Sequence, residues 1–146
     1  MPGQRSITGV GITTFDEELR VARAVACSTL PPRLRCTNPT LIGVGNLYKT
    51  EICFLLGVSP WTPVRNVDPD AVVALARRLL LANADRPEQS TTGELARGSQ
   101  HWVYERGGKA CRRCAARVIR AVQGDDVYAR HSYYCPRCQP GPHPVR

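Results

Sequence analysis

Apolar side chains recur at helical spacing in three stretches of the chain. Phe15, Leu19, Ala22 and Ala26 follow Thr14-Phe-Asp-Glu17, a capping box whose hydroxyl and carboxylate satisfy first-turn N–H groups. They predict a helix over 15–27, and Pro31-Pro32 stops any continuation. Leu47 to Leu56 predicts a second helix, closed by Gly57 and then Pro60. Asp68-Pro69 supplies a cap and a proline at the first helical position. Val72, Leu75, Ala76, Leu79 and Leu80 then give one apolar face to a helix over 69–83. Residues 1–13 are glycine-rich and without period, a loose lead-in, and 85–100 are polar and turn-rich, a connector.

From Trp102 onward the pattern shortens to β-type pieces: Trp102-Val-Tyr104, Arg117-Val-Ile-Arg120 and Ser132-Tyr-Tyr134. They flank two cysteine pairs as the strands of a zinc ribbon would, and Pro140-Gly-Pro-His-Pro144 reads as part of a disordered tail. The expected fold class is mainly α with a small β zinc ribbon. Its parts are a loose segment 1–13, a helical domain 14–96, a ribbon 97–139 and a tail 140–146.

Of 146 residues, 42% are hydrophobic and 22% charged, which excludes wholesale disorder. No apolar run approaches the length of a membrane span, and the N-terminus lacks the pattern of a secretory signal. A cytoplasmic location is the natural expectation, with no membrane partner. The net charge of +8 is unevenly placed: residues 1–95 carry ten basic and nine acidic side chains, residues 96–146 ten and three. The last third is therefore the basic one, and its sign favours a polyanion. Eighteen of the twenty basic residues are Arg, which points to a GC-rich coding bias. A codon bias would not remove acids from one end alone.

Cys111-Arg-Arg-Cys114 and Cys135-Pro-Arg-Cys138 are two CxxC pairs separated by twenty residues. That spacing suits one structural Zn2+ held tetrahedrally by four thiolates. A redox CxxC would open a helix in a thioredoxin-like context and needs no second pair. Structural disulfides do not suit a reducing compartment. Cys27, Cys36 and Cys53 sit in apolar or helical surroundings and read as small buried side chains.

Gly43-Val-Gly45-Asn46 stands directly before a helix, where free N–H groups and an Asn amide can meet an anion. Taken alone it reads better as a glycine turn with an N-cap. Leu41-Ile-Gly-Val-Gly-Asn-Leu-Tyr48 with Glu51 and Gly57-Val-Ser-Pro60 resembles the helix-two-turn-helix signature of the formamidopyrimidine-DNA glycosylase and endonuclease VIII family. Gln100-His-Trp-Val-Tyr104, Arg106-Gly-Gly-Lys109 and Arg130-His-Ser-Tyr-Tyr-Cys135 are similar to that family's C-terminal zinc finger. The resemblance covers about residues 14–139. It implies that 14–96 form the helix-two-turn-helix domain and that the partner is double-stranded DNA, damaged or abasic sites included. It further implies that Gly45, Asn46 and Lys49 lie at the DNA, and that Arg130 contacts phosphates and assists δ-elimination. A monomer working at the nucleoid is expected.

In that family a Pro-Glu start supplies the secondary amine that attacks the deoxyribose C1′ and the acid that moves protons. This chain reads Met1-Pro2-Gly3, so Pro2 is a candidate nucleophile without its acid. Residues 1–13 are too few for the family's N-terminal sandwich. Ala115 stands where a Gly commonly follows the second cysteine. The leading expectation is a truncated family member that binds DNA without excising bases by itself. The alternatives are an active glycosylase and lyase, through Pro2 or with a catalytic half in another chain, and a zinc ribbon for RNA or protein.

Overall fold

The computed structural model describes residues 45–123 and 129–144. The helix expected over 15–27, the lead-in 1–13, Pro2, Cys27, Cys36 and residues 145–146 lie outside them.

Helix α1 spans Asn46–Leu56. Gly57 ends it in the left-handed region at φ 70°, and its N–H and that of Val58 return to the last-turn carbonyls of Phe54 and Cys53. Seven consecutive residues, Tyr48 to Phe54, are buried. A helix with no wet face has neighbours all round. A 3-10 turn at Val64–Asn66 leads to α2, Pro69–Ala82. Asp68 Oδ1 accepts the Asp70 N–H at 3.0 Å and Pro69 occupies the first turn, as the sequence expects. The face of Val72, Leu75, Ala76 and Leu79 packs with Val67 on Tyr48, Ile52 and Cys53 of α1.

On the other side of α1 lies the finger. Strands β1, Ile119–Gln123, and β2, Arg130–Tyr134, pair antiparallel, with Ile119 opposite Tyr134 and Gln123 opposite Arg130. A single bridge joins Ala110 to Arg117. Phe54, Val103, Val118, Cys111 and Cys135 form this second interior, and Phe54 stacks on Trp102 with centroids 5.7 Å apart.

Three expectations change. Residues 102–104 are not a strand. Their N–H groups all point at one carboxylate of α1, so they bond a side chain in place of a neighbouring strand. Within the stretch expected as a connector, Ser90 and Thr91 are buried. The Asn83 side chain brackets Ser90, accepting its N–H at 2.7 Å and donating to its carbonyl at 2.8 Å. The expected disordered tail packs as far as it is described. The Ser59 hydroxyl donates to the Pro142 carbonyl, and His143 stacks on Tyr134 at 4.8 Å, giving the proline-rich segment a fixed seat. Among the described residues no helix is long and apolar enough to cross a membrane.

Candidate metal centre and nucleic-acid interface

The four cysteines converge. The Sγ atoms of Cys111, Cys114, Cys135 and Cys138 all lie within 4.8 Å of one another. Cys111 and Cys138 are 3.9 Å apart, Cys114 and Cys135 3.4 Å. A tetrahedral zinc with bonds of ~2.3 Å needs sulfurs about 3.8 Å apart, so this cluster fits the ion with little adjustment. The thiols are not equivalent. The Ala116 N–H draws Cys114 down to about 7, whereas burial pushes Cys135 up and Cys138 up to about 12. A divalent cation amid four sulfurs would override these differences, since it binds thiolates. Its role there would be structural, because all four positions are cysteines and none would stay open to a reactant.

The first knuckle is fixed from both flanks. The Arg113 guanidinium sits 4.5 Å over the Phe54 ring, and Arg112 Nε donates to the His101 carbonyl at 3.0 Å. Part of the basicity of the last third therefore fastens the finger. Ala115, directly after the knuckle, has φ 62°. That left-handed backbone is why a glycine suits the position, and Ala115 holds it under strain.

The second knuckle is tied to the helical half by Gln139, which is fully buried. Its Oε1 accepts the Cys135 N–H at 2.8 Å and its Nε2 donates to the Val58 carbonyl at 2.9 Å. A larger tie is made by Glu51, also fully buried. Its two oxygens accept the N–H groups of Trp102, Val103 and Tyr104, each at 2.8 Å, and the Thr91 hydroxyl. The sequence motif contains Glu51 without assigning it a task. The signal was there: Lys49, Thr50 and Glu51 interrupt an otherwise apolar helical run. Gln123 and Gln139 carry no comparable signal, since a lone amide looks alike inside and outside.

At the open side of this junction stand the residues expected at DNA. Gly45 is exposed, and among the described residues no atom lies within 4 Å of where its Cβ would be. No acidic side chain occupies the first turn of α1, whose N–H groups carry partial positive charge. Asn46 Nδ2 donates to the His131 carbonyl at 2.7 Å, across 85 residues of sequence. One amide hydrogen is thereby used and the second can still be offered to a ligand. Arg130, exposed, stands beside His131 at the start of β2. The structure thus brings Asn46 and the Arg130 strand together. Lys49 reaches the same strand from its buried side. Lys49, expected at the DNA, is only 3% exposed, and its ammonium faces the hairpin.

No protein-family model matches the chain. It is 49% identical over 107 residues to the probable endonuclease 8 2 of Streptomyces coelicolor, covering 71% of this chain and 38% of that protein. It is 43% identical over 100 residues to the DNA-(apurinic or apyrimidinic site) lyase Nei2 of Mycolicibacterium smegmatis, and 32% identical over 110 residues to a formamidopyrimidine-DNA glycosylase of Prochlorococcus marinus. Each of the latter two alignments covers 68% of this chain and 38% of the relative. The chain thus spans well under half the length of these relatives. The fold is shared with the MutM (Fpg) protein of Thermus thermophilus, at a TM-score of 0.56 and 24% identity, covering 83% of this chain and 50% of that one. It is also shared with a MutM bound to DNA containing carbocyclic 8-oxo-G, at a TM-score of 0.55 and 22% identity, covering 87% and 45%. With two helices, a two-stranded hairpin and four gathered cysteines among its described residues, the chain belongs to the endonuclease 8 and formamidopyrimidine-DNA glycosylase family and matches its C-terminal region.

Proposed function

We propose that this chain binds double-stranded DNA, abasic or damaged sites included, by gripping phosphates between the N-terminus of α1 and the Arg130 strand. One observation carries the reading: the Asn46 side chain meets the finger at the His131 carbonyl, so the start of α1 and its Asn amide adjoin the strand that begins with Arg130. Helix N–H groups favour an anion, and the Arg fork suits two phosphate oxygens at once. Zinc keeps the hairpin rigid, so that this grip is held before DNA arrives. Gly45 gives the phosphate room, and Arg130 is the residue that would favour δ-elimination in a complete active site.

Base excision is not an activity of the 146-residue chain by itself in this reading. Excision requires a nucleophile at the sugar, an acid and a pocket for the extruded base, held in register. Each of the three relatives has more than half its length outside the region matched here, and Pro2 has no acid beside it in sequence.

The test is a salt titration on a duplex carrying an abasic analogue. With about 4–6 phosphates neutralised, log K should fall against log salt with a slope of roughly −4 to −5. Asn46→Ala and Arg130→Ala should each weaken binding by about 1–3 kcal/mol, while Arg78→Ala on the exposed side of α2 should leave it unchanged. Equal losses from all three would mean a diffuse basic surface. Borohydride trapping on a natural abasic site separates binding from chemistry, because only a Schiff base becomes a covalent adduct; a trapped product would establish the lyase reading.

A further inference from the structure

We infer that Lys49 is a positioning residue: its buried ammonium sets the register of the hairpin carrying Arg130 against the helix carrying Asn46, without touching DNA. The register follows from the geometry of the chain; its consequence for DNA rests on the reading above.

Lys49 lies three residues after Asn46, so the two share a face of α1. Both reach β2. Asn46 donates to the His131 carbonyl, and Lys49 Nζ donates to Ser132 Oγ at 3.2 Å. Lys49 also donates to Gln123 Oε1 at 3.1 Å, which accepts the Ser132 hydroxyl at 2.8 Å as well. Gln123 Nε2 donates onward to the Pro60 carbonyl at 2.7 Å. Gln123 is the cross-strand partner of Arg130. One ammonium thus engages both strands at the end of the hairpin where the guanidinium projects. A rotation or slip of the hairpin would move Arg130 and break these bonds together.

Stability alone gives a poor account of this lysine. Burying an ammonium costs several kcal/mol, and an apolar side chain of similar length would fill the space at less expense. What an apolar contact cannot supply is direction. Charge-assisted bonds to two fixed oxygens select one hairpin orientation, whereas methylene contacts tolerate sliding. At 3% exposure the residue also has almost no surface to offer a phosphate.

The experiment is a double-mutant cycle with Lys49→Met and Arg130→Ala on the zinc-loaded chain. It is read by anisotropy with a duplex carrying a tetrahydrofuran abasic analogue and, without DNA, by hydrogen exchange. Lys49→Met should weaken binding roughly tenfold alone but less than about twofold in the Arg130→Ala background, since a positioning residue acts through the group it positions. In free protein the amides of 130–134 should exchange faster while those of α2 do not change. Equal weakening in both backgrounds would show that Lys49 acts independently of Arg130 and overturn the inference, as would unaltered exchange in the hairpin. If Lys49→Met fails to retain zinc, Ser132→Ala removes one acceptor with little change of volume and should show the same cancellation. Faster hairpin exchange in a protein whose wild type has no DNA affinity would sink the DNA reading and leave the register standing.

Discussion

On the α2 side of α1, the interior is built from Tyr48, Ile52, Val67, Val72, Leu75 and Leu79, side chains that associate without any particular partner. On the finger side the purely apolar members are Phe54, Val103 and Val118, with two of the four clustered cysteines completing the set. A finger with so few large apolar residues cannot balance the entropy of ordering its chain by burial alone. Four converging cysteines that fit a cation stand at its centre, and directed bonds from Glu51, Lys49 and Gln139 tie it down. The comparison teaches that one helix serves two kinds of interior. Its Ile52 face could change its neighbours with modest cost, while its Glu51 face could not.

The contrast breaks most visibly on metal removal. Chelation, or Cys138→Ser, should abolish amide protection across 111–138 while protection in α2 persists, because structural zinc supplies on the order of 10–16 kcal/mol to such sites. A finger that stays ordered in metal-free protein would erase the distinction. Glu51→Gln comes next. It turns an amide donor toward N–H groups that need an acceptor, and should cost about 4 kcal/mol in urea unfolding, with lowered zinc retention. Leu75→Ala should cost about 3 kcal/mol through its cavity and leave zinc stoichiometry intact, the mark of a defect confined to the other interior. The smallest effect has the opposite sign. Ala115→Gly should raise finger stability by about 0.5–1 kcal/mol, seen as slower zinc release to a chelator, by relieving the left-handed strain.

The parts legible in the sequence were those fixed by local chemistry. The CxxC spacing gathers four sulfurs, Asp68-Pro69 starts α2 at the expected residue, and Gly57 ends α1 in the left-handed conformation. Most of what eluded the sequence depends on partners 51 to 85 residues away. Lys49 looks like a surface cation until Ser132 and Gln123 are seen against it. Trp102-Val-Tyr104 has the composition of a strand, but its N–H groups are claimed by Glu51, 51 to 53 residues earlier. Gly141 and His143 read as slack because nothing in a proline-rich string announces Ser59 or Tyr134 as its seat.

The 85-residue span between Asn46 and His131 also sets a timetable during synthesis. At about 5–20 residues per second, α1 leaves the ribosome roughly 4–17 s before the strand that covers it. Through that interval Lys49, Glu51 and Phe54 lack the finger groups they meet in the folded chain, in a helix of 11 residues that is short for independent stability. α2 emerges early enough to shelter one side; the other side waits for Cys138. Arrival of the fourth cysteine and closure of the second interior are then a single delayed event in the life of the nascent chain.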